Sequence, residues 1–166
     1  MLSPFQRILL TTDGTVTDIL EAYLFEQIQV VKLAEALHPS PQAIPELDLP
    51  SGTEVIDRKI LLKGKISQRH FIYAESIIVP SRLDDQFRHE LLKTRTPIGK
   101  IWLDQRVETF KEIIISGKEP AQDLADYFSI APDDSLLFRT YRVISNRQAT
   151  MLITEKFPES YFRRDF

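Results

Sequence analysis

The stretch Ile56-Asp57-Arg58-Lys59-Ile60-Leu61-Leu62 decides how this chain is read. Side chains alternate between the two faces of a strand, so Ile56, Arg58, Ile60 and Leu62 share one side and Asp57 and Lys59 the other. That pattern marks a strand with one face toward a core and one toward water. A second stretch, Met151-Leu152-Ile153-Thr154-Glu155-Lys156-Phe157, groups Met151, Ile153, Glu155 and Phe157 in the same way. Each stretch therefore puts one charge on an otherwise apolar face. An unpaired buried charge is costly, so Arg58 and Glu155 call for partners. They can pair with each other, or sit at strand ends in solvent. They can also face a closed, mostly apolar pocket in which a guanidinium and a carboxylate hold a small polar ligand.

Working outward, strands over 54–62 and 69–79 join across Lys63-Gly64-Lys65 as a hairpin. Strands over 136–144 and 150–157 form a second hairpin around Ser145-Asn146-Arg147, and 107–115 reads as a further strand. Ser3 and Pro4 make a helix start, with Phe5, Ile8 and Leu9 on one face. Asp13-Gly14 breaks that helix, and Thr15 or Thr17 caps the next. Ser81 caps a helix over 82–92 with the inward stripe Leu83, Phe87 and Leu91. Thr96-Pro97-Ile98-Gly99 is a turn before a short segment through Trp102, and 119–127 reads as a short helix. Pro39, Pro41, Pro45 and Pro50 mark a loop. Residues 19–37 fit one amphipathic helix, yet the β-branched cluster at Ile28-Gln29-Val30-Val31-Lys32-Leu33 suits a strand. The pattern predicts an α+β fold: a single antiparallel β-sheet with helices covering one face, the other face being wet.

The chain has 166 residues, enough for one domain with a sizeable core, and 1–166 is read as a single domain. Its 43% hydrophobic and 27% charged residues are ordinary for a soluble globular protein. A net charge of −3 argues against a nucleic-acid-binding surface. The absence of cysteine excludes disulfides, thiol catalysis and cysteine-ligated metals. No signal-peptide pattern and no apolar run of membrane-spanning length occur, so a cytoplasmic, soluble protein is expected.

Further motifs recur along the chain. Gly14-Thr15-Val16-Thr17-Asp18-Ile19-Leu20-Glu21 precedes the Arg58 strand. Ala74-Glu75-Ser76-Ile77-Ile78-Val79-Pro80 and Arg95-Thr96-Pro97-Ile98-Gly99-Lys100 follow it, and Leu152-Ile153-Thr154-Glu155-Lys156-Phe157 comes last. In this order they resemble the chorismate pyruvate-lyase family, which converts chorismate to 4-hydroxybenzoate and pyruvate, and most closely its compact branch from cyanobacteria and some other microbes. The resemblance implies a strand at 28–33. It places the family's carboxylate-binding arginine at Arg58 and its ring-oxygen-binding glutamate at Glu155. It places the backbone contact beside the Thr-Pro-x-Gly turn at Ile98. The apolar pocket residue before the capping threonine falls at Val16, where some relatives have methionine. It also implies supply of 4-hydroxybenzoate for quinone head groups of the plastoquinone or ubiquinone type.

Such a reaction needs no redox cofactor or metal, because aromatisation supplies much of the driving force. It needs a site that fixes a dianion, excludes water and steadies charge as the ether bond breaks. The planar fork of Arg58 suits a carboxylate. Glu155 can donate a proton if burial raises its proton affinity, or accept from the ring hydroxyl if a cation favours its charge. Positioning with electrostatics is the preferred reading. The expected ligand is chorismate, with no cofactor, no metal and no nucleic acid; the oligomeric state is left open, a monomer being sufficient.

Other residues carry less. His38, His70 and His89 lack metal-ligand spacing. Asp84-Asp85 and Asp133-Asp134 suit helix and loop starts. Lys63-Gly64-Lys65 is a hairpin tip, and Glu75 alternates with Phe71, Tyr73 and Ile77 as a supplementary pocket candidate. The competing function is a non-catalytic ligand-sensing domain of the same fold, as in bacterial transcription regulators. Those normally carry an attached DNA-binding domain, for which the start of this chain is expected to leave no room.

Overall fold

The structure is a computed structural model that describes residues 1–94 and 96–163; Arg95 of the Arg-Thr-Pro-x-Gly motif lies outside the described residues. Two short helices open it. Helix α1 (Pro4–Thr11) starts at a reciprocal cap in which the Ser3 hydroxyl accepts from the Gln6 N–H and the Gln6 side chain accepts from the Ser3 N–H. Its buried face is Gln6, Leu9 and Leu10, whereas Ile8 is exposed, which corrects the expected Phe5-Ile8-Leu9 stripe. The Gln6 amide donates to the carbonyls of Glu159 and Tyr161 and so turns this face inward. Helix α2 (Val16–Leu24) ends at Phe25, whose left-handed conformation (φ 56°) stops it. The β-branched run then forms strand β1 (Ile28–Pro39), the outcome the resemblance implied.

Strands β2 (Glu54–Gly64), β3 (His70–Ile78), β4 (Phe110–Pro120), β5 (Ser135–Ser145) and β6 (Gln148–Pro158) complete a six-stranded sheet in the order β1-β2-β3-β6-β5-β4. Every neighbouring pair is antiparallel. The last hairpin turns on Asn146 and Arg147, both at positive φ, as a two-residue turn that matches strand twist requires. Helix α3 (Asp85–Lys93) is capped by Asp84, whose side chain accepts from the Phe87 N–H; Ser81 lies instead in a 3-10 turn. Helix α4 (Ile98–Asp104) follows the Thr-Pro turn. Strand β4 runs later than the pattern suggested, through Pro120, so the expected helix over 119–127 shrinks to α5 (Ala125–Phe128).

Helices α1 to α4 cover one face of the sheet. Under α1 and α2 lie Ile60, Leu62, Ile72 and Phe157; under α3 and α4 lie Ile56, Ile78, Met151 and Val143. The opposite face is open to solvent at Asp57, Lys59, Glu75 and Thr154. One end is covered by α5 packing on Leu61, Tyr73 and Leu136, the other by the proline loop, whose Leu47 and Leu49 pack on Val55 and Val79. The four prolines thus sit in a structured cover: Arg82 donates to the carbonyls of Leu47 and Ala149 and ties it to the sheet.

The two helical pairs meet where α4 begins. A Cβ added at Gly99 would stand 2.2 Å from Thr15 Cγ2, so the close approach of α4 to the start of α2 requires glycine there. Gly99→Ala should cost about 1–3 kcal/mol by overpacking, read as a fall in the midpoint of urea denaturation. Combining it with Thr15→Ala should recover part of that loss; no recovery would show that the contact does not limit the packing of α4.

Candidate active site

The sheet, with two strands on one side of β3 and three on the other, builds the site. Reading across the helix-covered face, Glu35 of β1 is paired with Arg58, Arg58 with Ser76, Ser76 with Ile153, and Ile153 with Tyr141. The neighbouring row runs Ile60, Ala74, Glu155, Arg139. The two inward residues of β3 in these rows, Ala74 and Ser76, are small. They leave a depression in the sheet between the two apolar clusters. The starts of α2 and α4 roof it, leaving a small cavity of about 50 Å³ that is partly open to solvent. Val16, Ile98, Trp102, Ile60 and Ile153 supply apolar walls; Lys111, Tyr141 and Glu155 supply polar groups.

Three of the four residues singled out by sequence therefore line one cavity: Val16, Ile98 and Glu155. Arg58 shares their sheet face in the adjoining inward position, but among the described residues the cavity lining stops short of it, at Ser76 and Ile60. Arg58 and Glu155 do not pair with each other. Glu155 accepts from Arg139 Nε at 2.8 Å on one oxygen and from the Tyr141 hydroxyl at 2.8 Å on the other. Arg139 also donates to the Thr12 carbonyl at 2.7 Å, tying the α1–α2 connection to the sheet. Lys111 of β4 donates to the Gly14 carbonyl at 3.0 Å, and its ammonium sits 5.5 and 5.4 Å from the ring centroids of Trp102 and Tyr141.

Arg58 is in the opposite condition. It is 2% exposed, and none of its three guanidinium nitrogens has a hydrogen-bond partner among the described residues. Its one ionic neighbour is Glu35, with Nε 3.5 Å from Oε2, too poorly aligned to be a hydrogen bond. Burial depresses the proton affinity of this guanidinium, with Glu35 opposing the shift. A buried cation with idle donors is an expensive arrangement unless a ligand completes it. Burial likewise raises the Tyr141 pKa well above the ordinary phenol range, reinforced by Glu155, so Tyr141 keeps its proton and donates. Burial lowers the Lys111 pKa, while the Glu155 charge pulls it back up.

The sequence reading missed Glu35, Lys111, Arg139 and Tyr141. The alternation that exposed Arg58 also holds in Leu137-Phe138-Arg139-Thr140-Tyr141-Arg142-Val143, where Arg139 falls between Leu137 and Tyr141 on the apolar side. Lys111 gave no such signal, because its edge strand is mostly exposed. Glu75 corrects a weaker expectation: it pairs with Lys59 on the opposite face of the sheet and does not reach the cavity. His38 bonds Asp57 on that outer side and is no part of the site.

The cavity lies over a six-stranded antiparallel sheet with its helices on one face, and that arrangement is a known fold. The fold is that of the effector domain of PhnF from Mycobacterium smegmatis (TM-score 0.68, 9% identity, covering 90% of this chain and 91% of that one). It is also that of the C-terminal domain of the histidine utilization repressor from Pseudomonas syringae (TM-score 0.60, 14% identity, covering 84% and 97%). The sequence narrows the class. Residues 10–164 match the family described as chorismate pyruvate-lyase, Rv2949c-like, and the chain belongs to that family. It is 36% identical over 159 residues to the chorismate pyruvate-lyase of Mycobacterium leprae, covering 95% of this chain and 75% of the relative. It is 31% identical over 164 residues to that of Mycobacterium tuberculosis, covering 95% and 81%.

The two buried arginines should respond oppositely to replacement. Arg139→Met leaves Glu155 buried with its cation removed and should destabilise the fold by about 3–5 kcal/mol. Arg58→Met removes idle donors while Glu35 keeps Lys32 at 3.1 Å, so the ligand-free protein should be unchanged or gain about 1–3 kcal/mol. Urea denaturation of both variants checks this, and equal losses would mean Arg58 has the partners of an ordinary structural arginine.

Proposed function

We propose that this chain, read over 1–166 as one domain, is a lyase that converts chorismate to 4-hydroxybenzoate and pyruvate. The observation that carries the reading is the buried Arg58 guanidinium with three unpartnered nitrogens. A carboxylate is the ligand that such a fork accepts through two parallel hydrogen bonds. Substrate enters the cavity and extends past Ser76, so that the ring carboxylate meets Arg58. The ring then lies over Ala74 and Ser76, between Val16 and Ile98 above and Ile60 and Ile153 alongside. At the far end the ring hydroxyl faces Glu155.

The reaction breaks the bond between the ring and the ether oxygen. The ring carbon that carries the hydroxyl gives up its hydrogen as a proton, and the electron pair completes the aromatic ring. The side chain departs as enolpyruvate, which takes up a proton to become pyruvate. Both oxygens of Glu155 already accept hydrogen bonds, from Arg139 and Tyr141, which supports a role in orienting the hydroxyl and setting the local field over one as proton donor. Nothing in this sequence of bonds needs an oxidant or a metal, and activity should survive exhaustive chelation. The destination of the product in quinone synthesis and the placement in a compact cyanobacterial-type branch rest on the motif resemblance alone; the mycobacterial relatives lend them no support.

Incubation of the purified protein with chorismate, following aromatic absorbance and pyruvate together, tests the reading. Stoichiometric release of both products is expected; tight binding without turnover would make this a sensor of the same fold. Arg58→Ala should weaken substrate and product binding by about 2–5 kcal/mol, and Arg58→Lys should restore little because a point charge lacks the fork. Glu155→Gln should retain much of the activity, since its amide can still accept from Arg139 and donate to the Tyr141 oxygen, whereas Glu155→Ala should lose it. A drop of roughly 10²–10⁴ in turnover for Glu155→Gln with unchanged binding would instead make Glu155 a proton carrier. 4-Hydroxybenzoate should inhibit competitively and raise the melting temperature by linkage.

A further inference from the structure

Chorismate carries two carboxylates, and Arg58 accounts for one. The cavity, which stops short of Arg58, is lined by a cation of its own on the side toward β4. Lys111 lies on the edge strand β4, paired with Val143 across the sheet, and its side chain lines the cavity with Tyr141, Trp102 and Glu155. Of the three protons on its ammonium, one is donated to the Gly14 carbonyl. The nearby carboxylate of Glu155 acts on Lys111 only through its charge, from beyond ion-pair distance, and accepts its hydrogen bonds from Arg139 and Tyr141. No carboxylate stands within ion-pair distance of Lys111 Nζ among the described residues, although eight such pairs occur elsewhere among them. Arg139, the inward residue of β5 next to Tyr141, keeps Nη2 buried and without a hydrogen-bond partner among the described residues. The two aromatic faces beside Lys111 hold the ammonium in place at modest cost.

We propose that Lys111 binds the carboxylate of the enolpyruvyl side chain, so that the site holds its substrate at two cationic poles and its aromatic product at one. Resting on the lyase reading above, this names the group that distinguishes substrate from product. The ring carboxylate, common to both, belongs to Arg58. The side-chain carboxylate, present only before cleavage, belongs to Lys111. Once the ether bond breaks, that carboxylate leaves with pyruvate and the hold on it is no longer shared with the ring. Placed there, the ammonium also faces the oxygen on which negative charge grows as the bond opens.

The test compares two ligands on the same protein by calorimetry: 4-hydroxybenzoate, with one carboxylate, and the unreactive ring ether 3-(carboxymethoxy)-4-hydroxybenzoate, with two. Wild type should bind the dicarboxylate more tightly. Lys111→Met should weaken the dicarboxylate by at least about tenfold and change the affinity for 4-hydroxybenzoate less than twofold, with kcat/KM for chorismate falling in step. Lys111→Gln, which can still donate to the Gly14 carbonyl, should behave like Lys111→Met, and Lys111→Arg should recover part of the loss. Equal weakening of both ligands in Lys111→Gln, or no weakening of the dicarboxylate, would overturn the assignment and leave Lys111 as a tether of the α1–α2 connection. If wild type prefers the dicarboxylate and loses that preference in Lys111→Gln, yet never turns over chorismate, the lyase reading fails while the two-pole site stands.

Discussion

The contact on which the rest of the site depends is the carboxylate of Glu155 held between Arg139 and Tyr141. It settles a charge in the middle of a sheet face that is otherwise apolar, and it does so with two well-made hydrogen bonds from adjacent strand positions. The same guanidinium reaches the Thr12 carbonyl, so the sheet and the connection that roofs the cavity are fixed by one group. A buried ion pair of this kind adds little net stability compared with apolar packing. Its value here is geometric: it sets where the carboxylate points and keeps the roof at a defined height above Ala74 and Ser76.

Beside that network stands Arg58, equally buried, with none of its three guanidinium nitrogens hydrogen-bonded among the described residues, where Arg139 leaves one. The contrast has a physical reading. Groups that serve the fold are paired within it, whereas a group that serves a ligand keeps its donors free and raises the energy of the empty protein. The cavity is apolar over most of its wall, and its polar groups, Lys111, Tyr141 and Glu155, gather on the side toward β5 and β4. One residue type, small side chains on β3, makes the room for it.

Much of this was legible before any coordinates. Period-2 alternation placed Arg58 and Glu155 on one face and paired the hairpins around Gly64 and Asn146, because register follows from which side must be dry. The motif resemblance named Val16 as a pocket wall and Ile98 as a backbone contact, and both line the cavity. What escaped detection depended on tertiary contacts. Whether Arg58 met Glu155 or Glu35 is decided by strand order, which alternation does not encode. Strand β4 was misplaced because an edge strand with one exposed side lacks the apolar periodicity that marks a strand, and its bulge between Ile113 and Ile115 shifts the phase midway. Ser81 and Asp84 are both good caps, and the competition between them was resolved by Pro80 drawing Ser81 into a 3-10 turn.

Trp102 gives this architecture an optical consequence. It is the one tryptophan in the chain, and it stands in the cavity wall, 8% exposed, between Phe87 and the ammonium of Lys111. All indole emission therefore originates at the binding site. A ligand that fills the cavity changes the polarity around that ring, and one that draws the ammonium away changes the charge beside it. The protein thus carries its own fluorophore in the cavity wall, where a label would otherwise have to be introduced.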